Sequence, residues 1–109
     1  MKSEDIRFMW LMVFFDLPVR TKEQRRNANR FRNSLKTDGY LMLQFSVYAR
    51  ICRGQDAVDK HIRRIRTNLP QEGSVRTLQV TDKQYGRMEF MLGLRKKSER
   101  FAPDQLVLL

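Results

Sequence analysis

Residues 8–15 read Phe-Met-Trp-Leu-Met-Val-Phe-Phe, and Asp16 ends this apolar run just before Leu17 and Pro18. The run is too short to cross a membrane as a helix, and it has the length of a β-strand that is buried on both faces. An ionised carboxylate at the end of such a strand is costly unless it reaches water, a helix cap, a cation or a metal ion. Asp16 is therefore the residue whose position most needs a chemical explanation.

The segment after this strand has the pattern of an amphipathic helix. Thr21-Lys-Glu-Gln24 has the form of a capping box, in which the Thr and Gln side chains satisfy each other's backbone N–H groups. The apolar positions that follow at helical spacing are Ala28, Phe31 and Leu35. Asp38-Gly39 is a typical helix end, because glycine suits a left-handed C-terminal cap.

The middle of the chain predicts further strand and a second helix. Residues 40–51 are rich in β-branched and aromatic side chains, and they predict either one long bent strand or two strands joined near Gln44. A helix is expected from about Gln55 to Asn68, and Pro70 stops it. The apolar stripe of that helix is Val58, Ile62, Ile65 and Leu69.

Two further strands are predicted after Gly73. The first covers Ser74 to Thr81, and a turn over residues 82–87 leads into residues 88–92 as its hairpin mate. The whole order predicts an α+β, ferredoxin-like βαββαβ fold with an extra C-terminal strand, in which two helices cover one face of an antiparallel sheet.

The predicted sheet leaves its second face open, and the first strand has no polar side. We therefore expect a homodimer that packs sheet to sheet, with the C-terminal tail as a candidate strand exchanged onto the partner. Residues 1–94 are predicted as the ferredoxin-like domain, and residues 95–109 as a basic linker followed by a C-terminal strand or tail.

The charge balance favours polyanionic partners. The chain of 109 residues has 22 Lys and Arg against 12 Asp and Glu, a formal net charge of +10. Such an excess favours nucleic acid through counterion release, and no basic amphipathic helix with an aromatic face points to a membrane. Cys52 is the only cysteine, which predicts a reducing compartment, and no signal-peptide pattern precedes the first strand. We expect a cytoplasmic protein.

Asp16 has two interpretations from position alone. It could ligate Mg²⁺, which takes carboxylate oxygens and keeps several waters, and such an ion assists phosphodiester hydrolysis. One carboxylate provides few ligands for a metal ion. Asp16 and its symmetry mate in a dimer would therefore share one ion across a two-fold axis. The structural alternative is that Asp16 bonds backbone amides in the turn before Pro18 or pairs with a nearby arginine.

Basic residues cluster on the first predicted helix, most of them away from its apolar stripe. The cluster consists of Arg20, Lys22, Arg25, Arg26, Arg30, Arg32 and Lys36. The second helix adds Lys60, Arg63, Arg64 and Arg66. A solvated helix face is the ordinary explanation of such runs, but few acids interleave here to form i,i+4 pairs. We predict binding to a phosphate backbone with little sequence specificity.

Four other residues are candidates for a functional site. Ser46 and Tyr48 alternate with apolar positions, so they either decorate the exposed face of their strand or, in the case of Tyr48, meet phosphate or the dimer mate. His61 lies among basic residues and is interpreted as a surface histidine. Cys52 lacks a His or Asp partner at a recognisable spacing, which argues against a nucleophile.

Three segments carry a resemblance to a known family. They are Met9 to Val19, which includes Asp16-Leu-Pro, then Gln44-Phe-Ser-Val-Tyr-Ala-Arg50, then Glu72 to Tyr85. In this order they resemble CRISPR-associated protein two, the small CRISPR adaptation protein, and most closely the version that accompanies single-effector, type II systems. The likeness covers nearly the whole chain.

The resemblance implies a ferredoxin-like homodimer that sits between two dimers of the adaptation integrase and holds a short duplex destined to become a spacer. It implies that Asp16 is the metal-binding aspartate, for Mg²⁺ or Mn²⁺, and that Ser46-Val-Tyr48 is the family's strand motif. The duplex backbone would then contact arginines of the first helix together with Arg50 and Arg53. The assigned nucleic-acid-binding set is Arg20, Lys22, Arg25, Arg26, Arg30, Arg50 and Arg53.

Two functions remain open after the resemblance. One is a non-catalytic scaffold of spacer acquisition, and the other is a Mg²⁺-dependent endonuclease that cleaves RNA or double-stranded DNA with Asp16 as metal ligand and catalytic residue. An RNA-recognition domain is disfavoured because Ser46 to Ile51 lacks the expected glycine. A small toxin-like ribonuclease is disfavoured by the long match through Tyr85.

Overall fold

Seven secondary-structure elements follow one another in the computed structural model, which describes residues 7–93. The elements are β1 (Phe8–Asp16), α1 (Lys22–Thr37), β2 (Leu41–Gln44), β3 (Val47–Arg53), α2 (Gln55–Thr67), β4 (Ser74–Thr81) and α3 (Asp82–Gly86). The four strands form one sheet in the order β2-β3-β1-β4, and every neighbouring pair is antiparallel. This order, with α1 and α2 as crossovers, is the ferredoxin-like arrangement that the sequence predicts.

β1 is a central strand that is buried on both faces. Alternate side chains point to opposite faces of a sheet, so Leu11 and Val13 join the core beneath the helices, while Trp10 and Met12 join a second cluster on the other face. Its neighbours are β3 and β4, with Phe14 opposite Val47 in the first pair. The uninterrupted apolar run therefore reflects two cores that share one strand.

α1 begins and packs as its sequence pattern predicts. Thr21 caps the helix in a complete capping box with Gln24, and the buried stripe packs on the first core. Phe31 meets Phe15 of β1 edge to face, with ring centroids 5.2 Å apart. α2 buries Val58 and Ile65 on the same face of the sheet. Leu69, which was predicted on the stripe of α2, lies beyond the helix end and is exposed.

The segment from Tyr40 to Arg53 forms two strands, which confirms one of the two alternatives. β2 and β3 are joined by a turn at Phe45 and Ser46, and the pairing shifts by one residue beside this turn. Tyr48 lies on the face of the first core, where it is fully buried. The interpretation of Tyr48 as a residue of an exposed strand face is therefore wrong.

α3 covers part of the second face of the sheet. The ring of Tyr85 stacks on Trp10 with centroids 3.8 Å apart and an interplanar angle of 9°. Trp10 Nε1 also donates a hydrogen bond to Asp82 Oδ1 at 2.8 Å. α3 thus lies where the sequence predicted only a turn, and it reduces the apolar surface that the predicted open face would expose.

The predicted hairpin mate of β4 at residues 88–92 is wrong, because those residues form no strand. The capping box of Thr81 with Gln84 starts α3 directly after β4. The chain therefore continues onto the second face of the sheet instead of returning along the edge of β4. Met88 then packs against the second cluster, whereas Met91 and Leu92 are exposed. The predicted C-terminal strand and the basic linker at residues 95–109 lie outside the described residues.

None of the helices found between residues 7 and 93 has both the length and the apolar character needed to cross a membrane.

Candidate nucleic-acid interface and the end of β1

Asp16 closes β1 with an exposed side chain. It pairs with Ser74 across the sheet, so its backbone is fixed by the β1–β4 ladder. Its carboxylate makes no hydrogen bond and no ion pair with any of residues 7–93. Neither structural role considered for it, a turn cap or a pair with an arginine, is present in that part of the chain. Its charge is therefore exposed to solvent and open to a ligand.

Gly73 sets the distance between β4 and the end of β1. Its φ of +104° is a left-handed conformation that favours glycine, and a Cβ at this position would lie 2.7 Å from the backbone oxygen of Asp16 and 2.8 Å from Leu17 Cδ2. Any larger residue would push β4 away from the end of β1. The position of the end of β1, and with it that of Asp16, therefore depends on the glycine just before β4.

Within residues 7–93, Asp16 is the only residue that the sequence predicts as a metal ligand. No group of three or more His, Cys, Asp or Glu residues within 7–93 is arranged to hold a metal ion. Mg²⁺ is often held by one or two carboxylates and several waters, so one Asp16 fits a weakly held ion, and two would fit it better. A site for two metal ions, which needs more converging carboxylates, does not fit these residues.

A basic depression lies along the exposed side of α1. It is lined by Lys22, Arg25, Arg26, Asn29, Arg30 and Asn33. Asp38 is the only acid that pairs with a basic residue within residues 7–93, so no acidic side chain in that range compensates the cations of this surface. Arg25 has a second role, because its Nη1 donates to the carbonyl oxygens of Val19 and Arg20 and holds the β1–α1 loop. Arg20 itself is exposed on that loop.

Arg32 departs from the outward orientation of its neighbours on α1, since only 8% of its surface is exposed. Its guanidinium carbon lies 3.8 Å from the ring centroid of Phe45 and 5.6 Å from that of Phe15. Long hydrogen bonds of 3.4 Å run from Nε to the carbonyl oxygen of Phe45 and from Nη1 to Asn29 Oδ1. The aromatic contacts explain how an arginine is accommodated there.

His61 is buried, so its interpretation as a surface histidine is wrong. It is 1% exposed and lies between Asp38 Oδ2, which is 2.6 Å from Nδ1, and Arg50 Nε, which donates to Nε2 at 2.9 Å. Arg50 Nη1 also donates to the carbonyl oxygen of Asp38, and Arg64 Nη1 bonds Asp38 Oδ1 at 2.6 Å. This polar network joins the C-terminal end of α1 to β3 and α2. Because Arg50 can only donate, Nε2 accepts and the proton of neutral His61 is on Nδ1.

The network shifts the pKa values of two members. Burial lowers the pKa of His61, and the charge of Arg50 lowers it further, although Asp38 opposes both effects. Burial alone would raise the pKa of Asp38, but hydrogen bonds from His61 and Arg64 outweigh it, so that pKa lies below its usual value. At neutral pH the network therefore consists of neutral His61 and ionised Asp38 between two arginines.

We expect stability to fall between pH 7 and pH 5 because of His61. Its pKa is lower in the folded chain than in the unfolded chain, so the unfolded state takes up the proton first as the pH falls. The free energy of unfolding should decrease below about pH 6.5, with a slope of at most about 1.4 kcal/mol per pH unit. Urea unfolding at a series of pH values measures this decrease.

His61→Gln is the control variant. His61 is the only histidine, so in His61→Gln the free energy of unfolding should depend less on pH. An equal slope in that variant would contradict the assignment.

The remaining predicted site residues lie in different surroundings. Ser46 is in the β2–β3 turn, and its carbonyl oxygen accepts a hydrogen bond of 3.1 Å from Phe15 N, next to Asp16. The Tyr48 hydroxyl is buried without a hydrogen-bond partner among residues 7–93, and burial raises the pKa of Tyr48. Arg50 belongs to the network around His61, and Arg53 is exposed at the end of β3. Ser46 is thus near Asp16, whereas Arg53, opposite Phe8, is at the other end of the sheet.

The fold and the site together define a class of small ferredoxin-like proteins with one carboxylate at the end of the first strand and a cationic helix beside it. The family model described as "CRISPR associated protein Cas2" matches residues 9–88. The chain belongs to this family, the CRISPR-associated protein Cas2 family, as its sequence resemblance implies.

Relatives and a solved structure agree with that membership. The chain is 55% identical over 86 residues to the "CRISPR-associated endoribonuclease Cas2" of Acidovorax ebreus. The aligned residues cover 79% of this chain and 84% of the relative. It is 45% identical over 101 residues to the protein of that name from Lacticaseibacillus rhamnosus, covering 93% of this chain and 100% of the relative. A structure titled "Crystal structure of cas2" shares the fold, with a TM-score of 0.57 and 21% identity over 84% of this chain and 92% of that one.

Proposed function

We propose that this chain is a homodimeric scaffold of CRISPR spacer acquisition, which bridges integrase dimers and binds the backbone of duplex DNA in the cytoplasm. The observation that carries the proposal is the basic depression of α1, whose cations make no ion pairs within residues 7–93. A surface that keeps several uncompensated charges gains affinity for a polyanion by counterion release. Membership of the Cas2 family supplies the CRISPR context.

The second face of the sheet supports the dimer. Leu78 of β4 is 52% exposed there, and Phe14, Leu41 and Leu43 are only partly buried around the Trp10 cluster. α3 leaves this apolar area incompletely covered, and such an area is typical of a contact with another protein surface. A sheet-to-sheet homodimer would cover it. The same contact would bring two copies of a basic α1 into one particle.

Substitution of the basic depression tests backbone binding. The variant Lys22→Gln, Arg26→Gln, Arg30→Gln leaves Arg25, which holds the β1–α1 loop. We expect its affinity for a labelled blunt duplex to fall at least about tenfold, and the slope of log affinity against log salt to decrease by about 2 to 3, because each lost phosphate contact removes about 0.9. Fluorescence anisotropy over a salt series measures both.

A matched control removes the same number of charges elsewhere. Arg7, Lys83 and Arg87 are exposed just before β1, in α3 and just after α3, away from the depression. Their replacement by glutamine should leave the salt slope nearly unchanged. Equal losses in the two triple variants would mean that net charge, and not the α1 surface, governs binding.

The second candidate function is a Mg²⁺-dependent endonuclease acting on RNA or double-stranded DNA. It is favoured by the exposed, unpaired carboxylate of Asp16 and by relatives that are named endoribonucleases. A bound Mg²⁺ would supply charge neutralisation and an activated water. The residues of this chain would contribute the Asp16 carboxylate as ligand and the α1 cations as phosphate contacts.

Asp16→Ala separates the two functions in one assay. Integration of a labelled duplex by the cognate integrase is measured without this protein, with it, and with the variant, and cleavage is followed in parallel. A scaffold supports integration with or without Asp16, while a nuclease loses cleavage in the variant. Absence of any stimulation by the wild-type protein would overturn the scaffold. Asp16→Asn, which keeps the shape of the side chain, controls for misfolding.

A further inference from the structure

Phe45 is a large aromatic residue that is presented to solvent. It is 66% exposed in the two-residue turn between β2 and β3, where the apolar alternation of the sequence would place a strand residue. One side of its ring is covered by Arg32, whose guanidinium carbon lies 3.8 Å from the ring centroid. The ring is therefore held from behind by a cation, while most of its surface remains available to a second flat partner.

The cation behind the ring is not neutralised. Arg32 is 8% exposed, and its polar contacts in residues 7–93 are a carbonyl oxygen and an amide oxygen, with no carboxylate. A buried guanidinium without a counter-ion keeps its positive charge near the surface, because the pKa of arginine is too high for deprotonation. The surroundings of the Phe45 ring therefore favour an anionic ligand that also carries a flat face.

The position of Phe45 connects two parts of the candidate site. Arg32 contacts Asn29, which lines the basic depression, so the depression continues through Arg32 to the Phe45 ring. On the other side, Ser46 accepts a backbone hydrogen bond from Phe15, the residue before Asp16. The ring thus lies between the basic surface of α1 and the end of β1.

We propose that Phe45 is a stacking platform for an unpaired base of a nucleic acid strand whose backbone lies in the basic depression. Stacking of bases on aromatic side chains is independent of sequence, and a neighbouring guanidinium adds cation–π and phosphate attraction. Phe45 and Arg32 therefore supply selectivity for unpaired nucleotides next to a duplex. This inference rests on the proposed backbone binding, which it extends from duplex to a junction with single strand.

The test compares a blunt duplex with the same duplex carrying a short oligothymidine extension at either end. We expect the wild-type protein to bind the extended duplex roughly tenfold more tightly, which is the scale of one stacked base. An extension of the same length without bases should give little of this gain. Phe45→Ala should abolish the difference and leave blunt-duplex affinity unchanged, whereas Phe45→Trp should keep it. Phe8→Ala, at the opposite end of β1, serves as the control.

Any other result of these binding experiments would show that a specific part of the proposal is wrong. If the wild-type protein binds both duplexes equally, the stacking platform is wrong while backbone binding stands. If neither duplex binds, the proposed function fails as well. If Phe45→Ala dissociates a dimer in sedimentation velocity, Phe45 contacts a second copy of the chain and the stacking platform is wrong.

Discussion

Tyr85→Ala is expected to lower the free energy of unfolding by about 3 to 5 kcal/mol, as for other buried aromatic truncations. Tyr85 is 7% exposed, and its ring covers Trp10 at a centroid distance of 3.8 Å on the face of the sheet opposite the helices. Truncation removes this cover and leaves a cavity that the five-residue α3 is too short to fill. Urea unfolding followed by far-ultraviolet circular dichroism measures the loss.

The single tryptophan of the chain makes this prediction specific. Trp10 is 1% exposed, so its emission should be blue-shifted in the native protein and should move to longer wavelength in Tyr85→Ala under native conditions. Tyr85→Phe keeps the ring and is the matched control, and it should lose less stability than Tyr85→Ala. An unchanged emission maximum in Tyr85→Ala would show that α3 does not cover the sheet in solution.

Asp38→Ala is expected to cost about 2 to 4 kcal/mol of stability. The substitution leaves the Nδ1–H of buried His61 without its acceptor and removes the bond from Arg64. A buried donor that loses its partner keeps its desolvation penalty, and the adjacent guanidinium of Arg50 loses a compensating charge. The Asp38 side chain is 20% exposed, which allows some rehydration and keeps the loss below that of a fully buried ion pair.

Asp59→Ala is the control for this variant. Asp59 is exposed on α2 and accepts one hydrogen bond from Gln55 Nε2, so its removal should change stability by about 0.5 kcal/mol or less. Asp38→Asn should fall between the two variants, because an amide oxygen can still accept from His61 but carries no charge. Equal stability of Asp38→Ala and Asp59→Ala would show that the network contributes little.

The fold was predictable where the pattern is local. The capping box at Thr21 and Gln24 identifies the start of α1, and the apolar run of residues 8–15 identifies the doubly buried β1, because these signals lie within one element. α3 was missed, since five residues carry too little periodicity. Its signal was nevertheless present, as Thr81 and Gln84 repeat the spacing of Thr21 and Gln24.

The candidate site was less predictable, because its key contacts join residues distant in sequence. Asp16 was identified from its position at the end of an apolar strand. The burial of His61 depends on Asp38, which is 23 positions away, and on Arg50, 11 positions away. Arg32 is buried because a turn 13 positions later brings Phe45 onto its guanidinium. No local pattern distinguishes these side chains from the exposed basic residues around them.

The central place of β1 in the sheet also has a consequence for synthesis on the ribosome. β1 is the first element of the described chain to emerge, but its neighbour β3 follows only after α1 and β2, and its other neighbour β4 only after α2. At roughly 5 to 20 residues per second, several seconds pass before Thr81 is translated. During that time β1, the most apolar strand, lacks one of its two neighbouring strands, and α3, which covers part of its second face, follows later still. Nascent chains should therefore depend on chaperone protection until β4 completes the sheet.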